Sequence, residues 1–327
     1  MTPVLEILEP GLLTTVQDAG RAGLGHLGVP RSGACDPWSL SVANLLVGNQ
    51  PGAAALELTL AGPTIRVLRA CVVGLAGADL GAAIRGGRAL ASDRSHRLAP
   101  GEILSFAGPT HPGSRAYLAL AGGIDVPPVL GSRSTLLAAG FGGLDGRALR
   151  PGDRLGSVRD PEDAPHGSAW IADGDPGEGD EPAVRVLPGP DASVLGDVAA
   201  TTWTVGGASD RMGLRLEGPP LAAAGSVGER RPHGVVPGTI QLPPDGLPII
   251  LLADAQPTGG YPVPAIAISA DLPVLGQLRP GAILRLRVVD MSTASAARAE
   301  RAARLERGRE RLAQVSGWDD MWRWADG

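Results

Sequence analysis

A mostly β chain in two halves, closed by a charged helix, is what the sequence predicts, and three observations predict it. Short runs of β-favouring residues recur along most of the 327 residues. Glycine (48) and proline (30) are spread between those runs as turns and do not gather into one low-complexity block. A Leu-x-Pro-Gly turn occurs three times at or beside run boundaries, at 98–101, 149–152 and 278–281. Proline presets φ at the second turn position and glycine accepts positive φ at the third, which specifies a type II turn. The recurrence hints at two related halves. With 43% hydrophobic residues the chain can bury a sizeable core.

The elements follow in order. In the first half the runs are residues 4–8, 55–60, 64–68, 71–76, 102–107 and 115–121, and in the second 183–187, 201–205, 239–242, 248–253 and 282–289. One helix is marked in the first half. Asp36 is its N-cap, Pro37 its first helical position, Leu40, Ala43, Asn44, Leu45 and Val47 fall at helical spacing, and Gly48 terminates it. It should pack across the mouth of a barrel. Residues 157–181 are acidic, rich in Gly and Pro and without periodicity, which reads as a linker. Four segments result: a first domain at 1–156, a linker at 157–182, a second domain at 183–290 and a helical tail at 291–327. Residues 296–312 turn to Ala, Arg and Glu and read as a charged helix, either a solvated appendage or a partner-docking arm. Trp318, Trp322 and Trp324 form an aromatic end beyond it.

Composition excludes several functions. Aromatics make up 3% and net charge is −5, so the chain offers neither a stacking platform nor a basic footprint, and nucleic acid is not an expected partner. All 29 basic residues are arginine, which removes a Walker-type phosphate loop, a Schiff-base lysine and a biotin-carrying lysine. Cys35 and Cys71 lack CxxC spacing and read as buried thiols of a reducing compartment, and His26, His96, His111, His166 and His233 show no ligand spacing. No apolar run approaches a membrane span and no leader is visible, so the expectation is a cytoplasmic protein without a metal site. Gly23-Leu-Gly25-His-Leu-Gly28 matches GxGxxG formally, yet it runs into Val29-Pro30 and opens no helix, so dinucleotide binding is not expected.

Chemistry concentrates where apolar runs end. The run 248–253 empties into Asp254-Ala-Gln256-Pro-Thr258-Gly259-Gly260-Tyr261-Pro262, which supplies a carboxylate, an amide, a hydroxyl and two glycines. Such a segment presents donors and backbone N–H groups to a small polar ligand, or is a strand-end turn with a capping aspartate. Ser209-Asp210-Arg211-Met212-Gly213 places an arginine where it could hold a carboxylate or phosphate bidentately, or close an ion pair within its turn. Gln17-Asp18 with Arg21, and Ser32-Gly-Ala-Cys35-Asp36, form a third polar stretch, in which helix capping accounts for Asp36.

These residues carry a family resemblance. The chain resembles the biotin-dependent carboxyltransferase-like family, which includes the C-type subunit of bacterial 5-oxoprolinases, the carboxyltransferase region of urea amidolyases and the second allophanate-hydrolase-type subunit. The matching segments include Thr14-Thr-Val-Gln-Asp-Ala-Gly-Arg-Ala-Gly23, Gly28-Val-Pro-Arg-Ser-Gly-Ala34, Leu56-Glu-Leu-Thr-Leu60 and Tyr117-Leu-Ala-Leu-Ala-Gly-Gly-Ile-Asp-Val-Pro127. They continue with Ser209-Asp-Arg-Met-Gly213, Gly238-Thr-Ile-Gln-Leu-Pro243, 254–262 and Ile268-Ser-Ala-Asp-Leu-Pro273.

The resemblance implies two cyclophilin-like β-barrel domains with a cleft between them. It implies a role within an ATP-dependent complex that opens 5-oxo-L-proline to L-glutamate. Its partners would be an allophanate-hydrolase-subunit-1-like protein (the B-type 5-oxoprolinase subunit) and the A-type 5-oxoprolinase subunit, with ATP used by the complex and no covalent biotin on this chain. By the same resemblance Asp254, Gln256, Tyr261 and Arg211 are the catalytic set, with Arg211 or Arg21 doing the cationic work. The set binding a small polar amide is Gly259, Gly260, Thr258, Asp210, Gln241, Asp36, Ser32 and Arg21. The family also admits a carboxyltransferase for a urea-like amide, with biotin on another chain, and a non-catalytic regulatory binding subunit. The sequence departs from the family pattern at Pro257, at Val263, where a basic residue is common, and in the loop 229–234 that contains His233.

Overall fold

The computed structural model describes residues 2–171, 183–221 and 231–316. The tryptophans at 318, 322 and 324 and the latter part of the acidic linker lie outside the described residues. The strands are β1 (Leu5–Glu9), β2 (Leu13–Gln17), β3 (Ala55–Thr59), β4 (Thr64–Val67), β5 (Cys71–Gly77), β6 (Ala82–Ile84), β7 (Arg94–Leu98), β8 (Ile103–Phe106), β9 (Arg115–Leu120) and β10 (Arg154–Leu155). They continue as β11 (Ala183–Pro188), β12 (Trp203–Val205), β13 (Gly213–Glu217), β14 (His233–Gly234), β15 (Thr239–Gln241), β16 (Ile249–Leu251), β17 (Thr258–Gly259), β18 (Ala265–Ala267) and β19 (Ile283–Val288). The chain divides into two compact units: residues 1–21, 36–173 and 304–327 form one, and 22–35 with 174–303 form the other.

The first unit carries two open five-stranded sheets, ordered β10-β1-β4-β8-β6 and β2-β3-β9-β5-β7, in place of the second closed barrel that the resemblance implies. Among the described residues its strand ladders end at the edges β10, β6, β2 and β7 without pairing one sheet to the other, and side chains join the layers instead. Ile7, Val16, Leu56, Leu58, Ile65, Val73, Leu98, Leu104 and Leu118 lie in this core. The helix Pro37–Leu45 forms as its cap predicts, but it lies against β5 and β9 of an open sheet and not across the mouth of a barrel. The Asp36 carboxylate accepts the Ser39 N–H at 2.9 Å, and Pro37 opens the first turn. Close approach requires Gly74, because a Cβ there would stand 2.2 Å from the Ala43 carbonyl oxygen. A polar string runs through the same layer: the Tyr117 hydroxyl donates to Glu57 at 2.7 Å and accepts the Asp36 N–H at 2.8 Å. Burial, and then the Glu162 and Glu102 charges, push the Cys71 thiol up to about 12.

The second unit is a closed seven-stranded barrel in the order β11-β18-β15-β16-β13-β12-β19, with the small ribbon β14-β17 beside it. Every pair is antiparallel except β11 with β19, which closes the barrel. Val184, Val186, Trp203, Leu214, Ile240, Ile250, Leu275 and Leu284 fill it. Trp203 is fully buried, and its indole N–H is satisfied by the Val198 carbonyl at 2.9 Å.

All three Pro-Gly turns form as read, with φ of 87° at Gly101, 88° at Gly152 and 84° at Gly281. In each, the glycine N–H reaches a strand carbonyl at 2.8 Å, those of Val67, Ile7 and Val205 respectively. The shared geometry accounts for the shared sequence.

The C-terminal helix spans Met291–Ser316, longer than the predicted 296–312, because Asp290 caps it. It is not a fully solvated appendage. In the second unit Ala294 and Ala297 pack with Ile268 and Ala270. In the first, Arg304 stacks over Trp38 at 5.5 Å, Trp38 meets Trp170 edge-on at 6.0 Å, and Leu312 is buried.

Candidate functional site

The second unit's polar site is built where β16 ends. Leu251 and Ala255 point into a small apolar cluster with Val235 and Val263, and Leu252 packs in the barrel core, which anchors the segment while Asp254 faces polar partners. Asp254 follows the strand and is 4% exposed, as is Arg211. The Arg211 Nε and Nη2 donate to the two carboxylate oxygens of Asp254 at 2.8 and 3.0 Å, a bidentate pair. The backbones clamp as well, since the Asp254 N–H donates to the Arg211 carbonyl at 3.0 Å. The ion pair therefore joins two turns, where the sequence suggested an ion pair within one.

A third segment closes on this pair. The Ser32 hydroxyl donates to Asp254 at 2.8 Å, the Ser32 N–H to the Ala253 carbonyl at 2.9 Å, and Arg211 Nη2 to the Gly33 carbonyl at 2.7 Å. Arg211 Nη1 stands 3.4 Å from Cys35 Sγ. Ser32 adopts φ of 55°, and these bonds hold it in that sparsely populated conformation. Cys35 and Gly33 are thus parts of the arrangement that sequence reasoning missed. The glycine-rich stretch 28–36 signalled an unusual backbone but not its partner more than 200 residues away.

Beyond the pair the loop opens outward. Gln256 and Thr258 are exposed, Tyr261 is 40% exposed, and Gly259 and Gly260 are half-buried. Asp210 is exposed and accepts the Met212 N–H at 2.7 Å, an Asx turn that orients the backbone entering β13. Thr258 and Gly259 pair with Gly234 and His233 in the ribbon. Gln241, on β15, is 2% exposed, and a Cβ on Gly259 would stand 2.1 Å from its Nε2, so the amide lies directly against that glycine.

Two expected site residues belong to the first unit. Asp36 caps its helix. Arg21 is buried, donates to the Val129 carbonyl at 3.1 Å and to the Ser134 carbonyl, and stacks over Phe141 at 4.7 Å. The structure brings Ser32, Arg211 and Asp254 into contact, and Gln241 with Gly259. Gln256, Thr258 and Tyr261 share their loop. Among the described residues no group of His, Cys, Asp and Glu could hold a metal ion, and no helix is long and apolar enough to cross a membrane.

Comparison with known proteins gives the family. The family model for the carboxyltransferase domain, subdomain A and B, matches residues 27–288. The C subunit of the 5-oxoprolinase of Escherichia coli (strain K12) is 41% identical over 286 residues, covering 85% of this chain and 89% of that protein. The urea amidolyase of Lachancea kluyveri is 34% identical over 302 residues, 84% of this chain but only 16% of that protein. Among solved structures, TTHA0988 superposes with a TM-score of 0.78 at 37% identity over 87% of this chain, which spans 56% of that one. The urea amidolyase of K. lactis superposes at 0.82 with 28% identity, over 94% of this chain and 20% of that one. The chain belongs to the carboxyltransferase domain, subdomain A and B, family and is a homologue of the 5-oxoprolinase C subunit.

Proposed function

We propose that this chain serves in an ATP-dependent 5-oxoprolinase complex that opens 5-oxo-L-proline to L-glutamate, in the cytoplasm and together with subunits of the A and B types. Identity of 41% to a C-type subunit, along nearly the full length of both proteins, is the observation that carries the reading. A lactam resists water because its nitrogen delocalises into the carbonyl. Transfer of the ATP γ-phosphoryl group to the carbonyl oxygen, with ADP leaving, removes that resistance; water then adds to the carbon and the C–N bond breaks as nitrogen takes a proton, leaving an acyl phosphate that a second water hydrolyses to glutamate and phosphate. The exposed Gln256 amide and Tyr261 hydroxyl would orient the substrate, with Thr258 beside them and Gly259 and Gly260 allowing close backbone approach.

Arg211 and Asp254 enter this reading as positioning residues, since each is spent on the other inside the protein. The two domains as cyclophilin-like folds, and the nucleotide site as lying outside this chain, belong to the same reading. With no lysine, biotin is not carried here. The likeness to urea amidolyases supports a second reading, a carboxyltransferase for a urea-like amide whose biotin arrives on another chain. Copurification with the A- and B-type subunits, followed by an assay of glutamate release from 5-oxoproline, tests the choice. Release that needs both ATP and this chain supports the first reading. A well-formed complex that releases none, yet accepts carboxyl from a biotin carrier, supports the second.

A further inference from the structure

Two buried nitrogens beside Gly259 lack partners. Gln241 Nε2 and His233 Nε2 are both shielded from solvent and meet no hydrogen-bond partner among the described residues. A buried donor or acceptor left unmade costs about 1–3 kcal/mol, so such a pair in one place points to a group that completes it.

Their placement is shared. His233 is the cross-strand partner of Gly259 in the ribbon β14-β17, and cross-strand partners direct their side chains to the same face. The Cβ that Gly259 lacks would point at Gln241 Nε2, 2.1 Å away. The His233 ring and the Gln241 amide therefore lie on one face of the ribbon, the amide in the space that a side chain at 259 would fill. Their characters differ. His233 Nδ1 faces the Arg231 carbonyl at 3.3 Å, and a nitrogen facing an acceptor carries the proton, so in the neutral ring Nε2 is a lone-pair acceptor. Gln241 Nε2 is a donor.

We propose that His233 and Gln241 form a two-point receptor for the edge of a small cis-amide, Gln241 donating to its C=O and His233 accepting its N–H. Lactams, primary amides and ureas present both groups on one side, and five-membered lactams are held so by their ring. The inference deepens the reading of the proposed function and rests on it only for the choice of lactam.

Calorimetric titration of the full chain, copurified with its partner subunits, tests it with 5-oxo-L-proline, N-methyl-5-oxo-L-proline and L-proline as probes. The wild type should bind the first at least about tenfold more tightly than the other two, because a site built to hydrogen-bond a polar group rejects the analogue that lacks it. His233→Ala should erase the discrimination against the N-methyl compound and keep that against L-proline. Gln241→Glu, which turns a carboxylate on the carbonyl oxygen, should weaken 5-oxo-L-proline at least about tenfold. Gln241→Met replaces it if thermal unfolding shows the glutamate variant misfolded. Affinity and discrimination unchanged in both variants overturn the receptor and leave the 5-oxoprolinase reading standing. A wild type that ignores 5-oxo-L-proline but binds urea, with affinity lost in His233→Ala, keeps the receptor and overturns the lactam. No binding of any probe overturns both.

Discussion

Replacing Asp254 by alanine isolates the element on which three segments converge. Its carboxylate receives two guanidinium N–H groups of Arg211 and the Ser32 hydroxyl, and both charged residues are 4% exposed. The substitution leaves a guanidinium buried without its counter-charge, a defect worth about 3–5 kcal/mol. In a unit of this size each kcal/mol moves the midpoint by roughly 2–4 °C, so the barrel should melt about 6–20 °C lower. The assay is thermal unfolding followed by tryptophan fluorescence, to which the buried Trp203 contributes. The double variant Arg211→Met with Asp254→Leu removes both charges and should recover most of the loss, since apolar groups of similar volume replace buried ion pairs at little cost. A shift below about 2 °C for Asp254→Ala, or a double variant as unstable as the single, would refute the reasoning.

Two further outcomes follow from the C-terminal helix. Gly308→Ala would ordinarily stabilise a helix by about 1 kcal/mol, but here the added Cβ stands 2.0 Å from the Trp170 ring, so the sign should reverse: a loss of about 1–3 kcal/mol in urea unfolding, with faster proteolysis of the helix. Asp290 is held down at about 2 by hydrogen bonds from the Thr293 side chain, the Thr293 N–H and the Ser292 hydroxyl. A carboxylate depressed on folding contributes stability above its unfolded value near 4 and loses it as pH falls through 2. Helix content measured by circular dichroism should fall in that window, and Asp290→Asn should flatten the dependence.

How much of this can be read in the chain depends on the range of the interaction. The helix Pro37–Leu45 is legible because its signals, Asp36, Pro37 and Gly48, are local. The three Pro-Gly turns are legible for the same reason. The strands Leu13–Gln17, Arg94–Leu98, Gly213–Glu217 and Ala265–Ala267 do not stand out among the apolar runs. Thr14, Thr15 and Gln17 are polar yet buried, Arg94 and His96 break the apolar pattern, and three residues are too few to show a period. Glu57 reads as a surface charge and lies fully inside, satisfied by the Tyr117 hydroxyl from another strand. At the site, the residue types at 209–213 and 254–261 announce polar chemistry. That Arg211 is turned inward onto Asp254 depends on a fold that no local pattern records.

The one parallel pairing in the barrel has a consequence for biosynthesis. Ala183 in the first strand pairs with Arg285 in the last, about 100 residues later, and no nearer segment substitutes for that seam. Loop-closure entropy over such a span makes the pairing slow, and a growing chain exposes the open edges of β11 and β12 until β19 has left the ribosome. The second unit therefore has no folded intermediate with a finished barrel short of Val288. A truncation before that residue removes more than a strand: it leaves the whole sheet open to pairing with other chains.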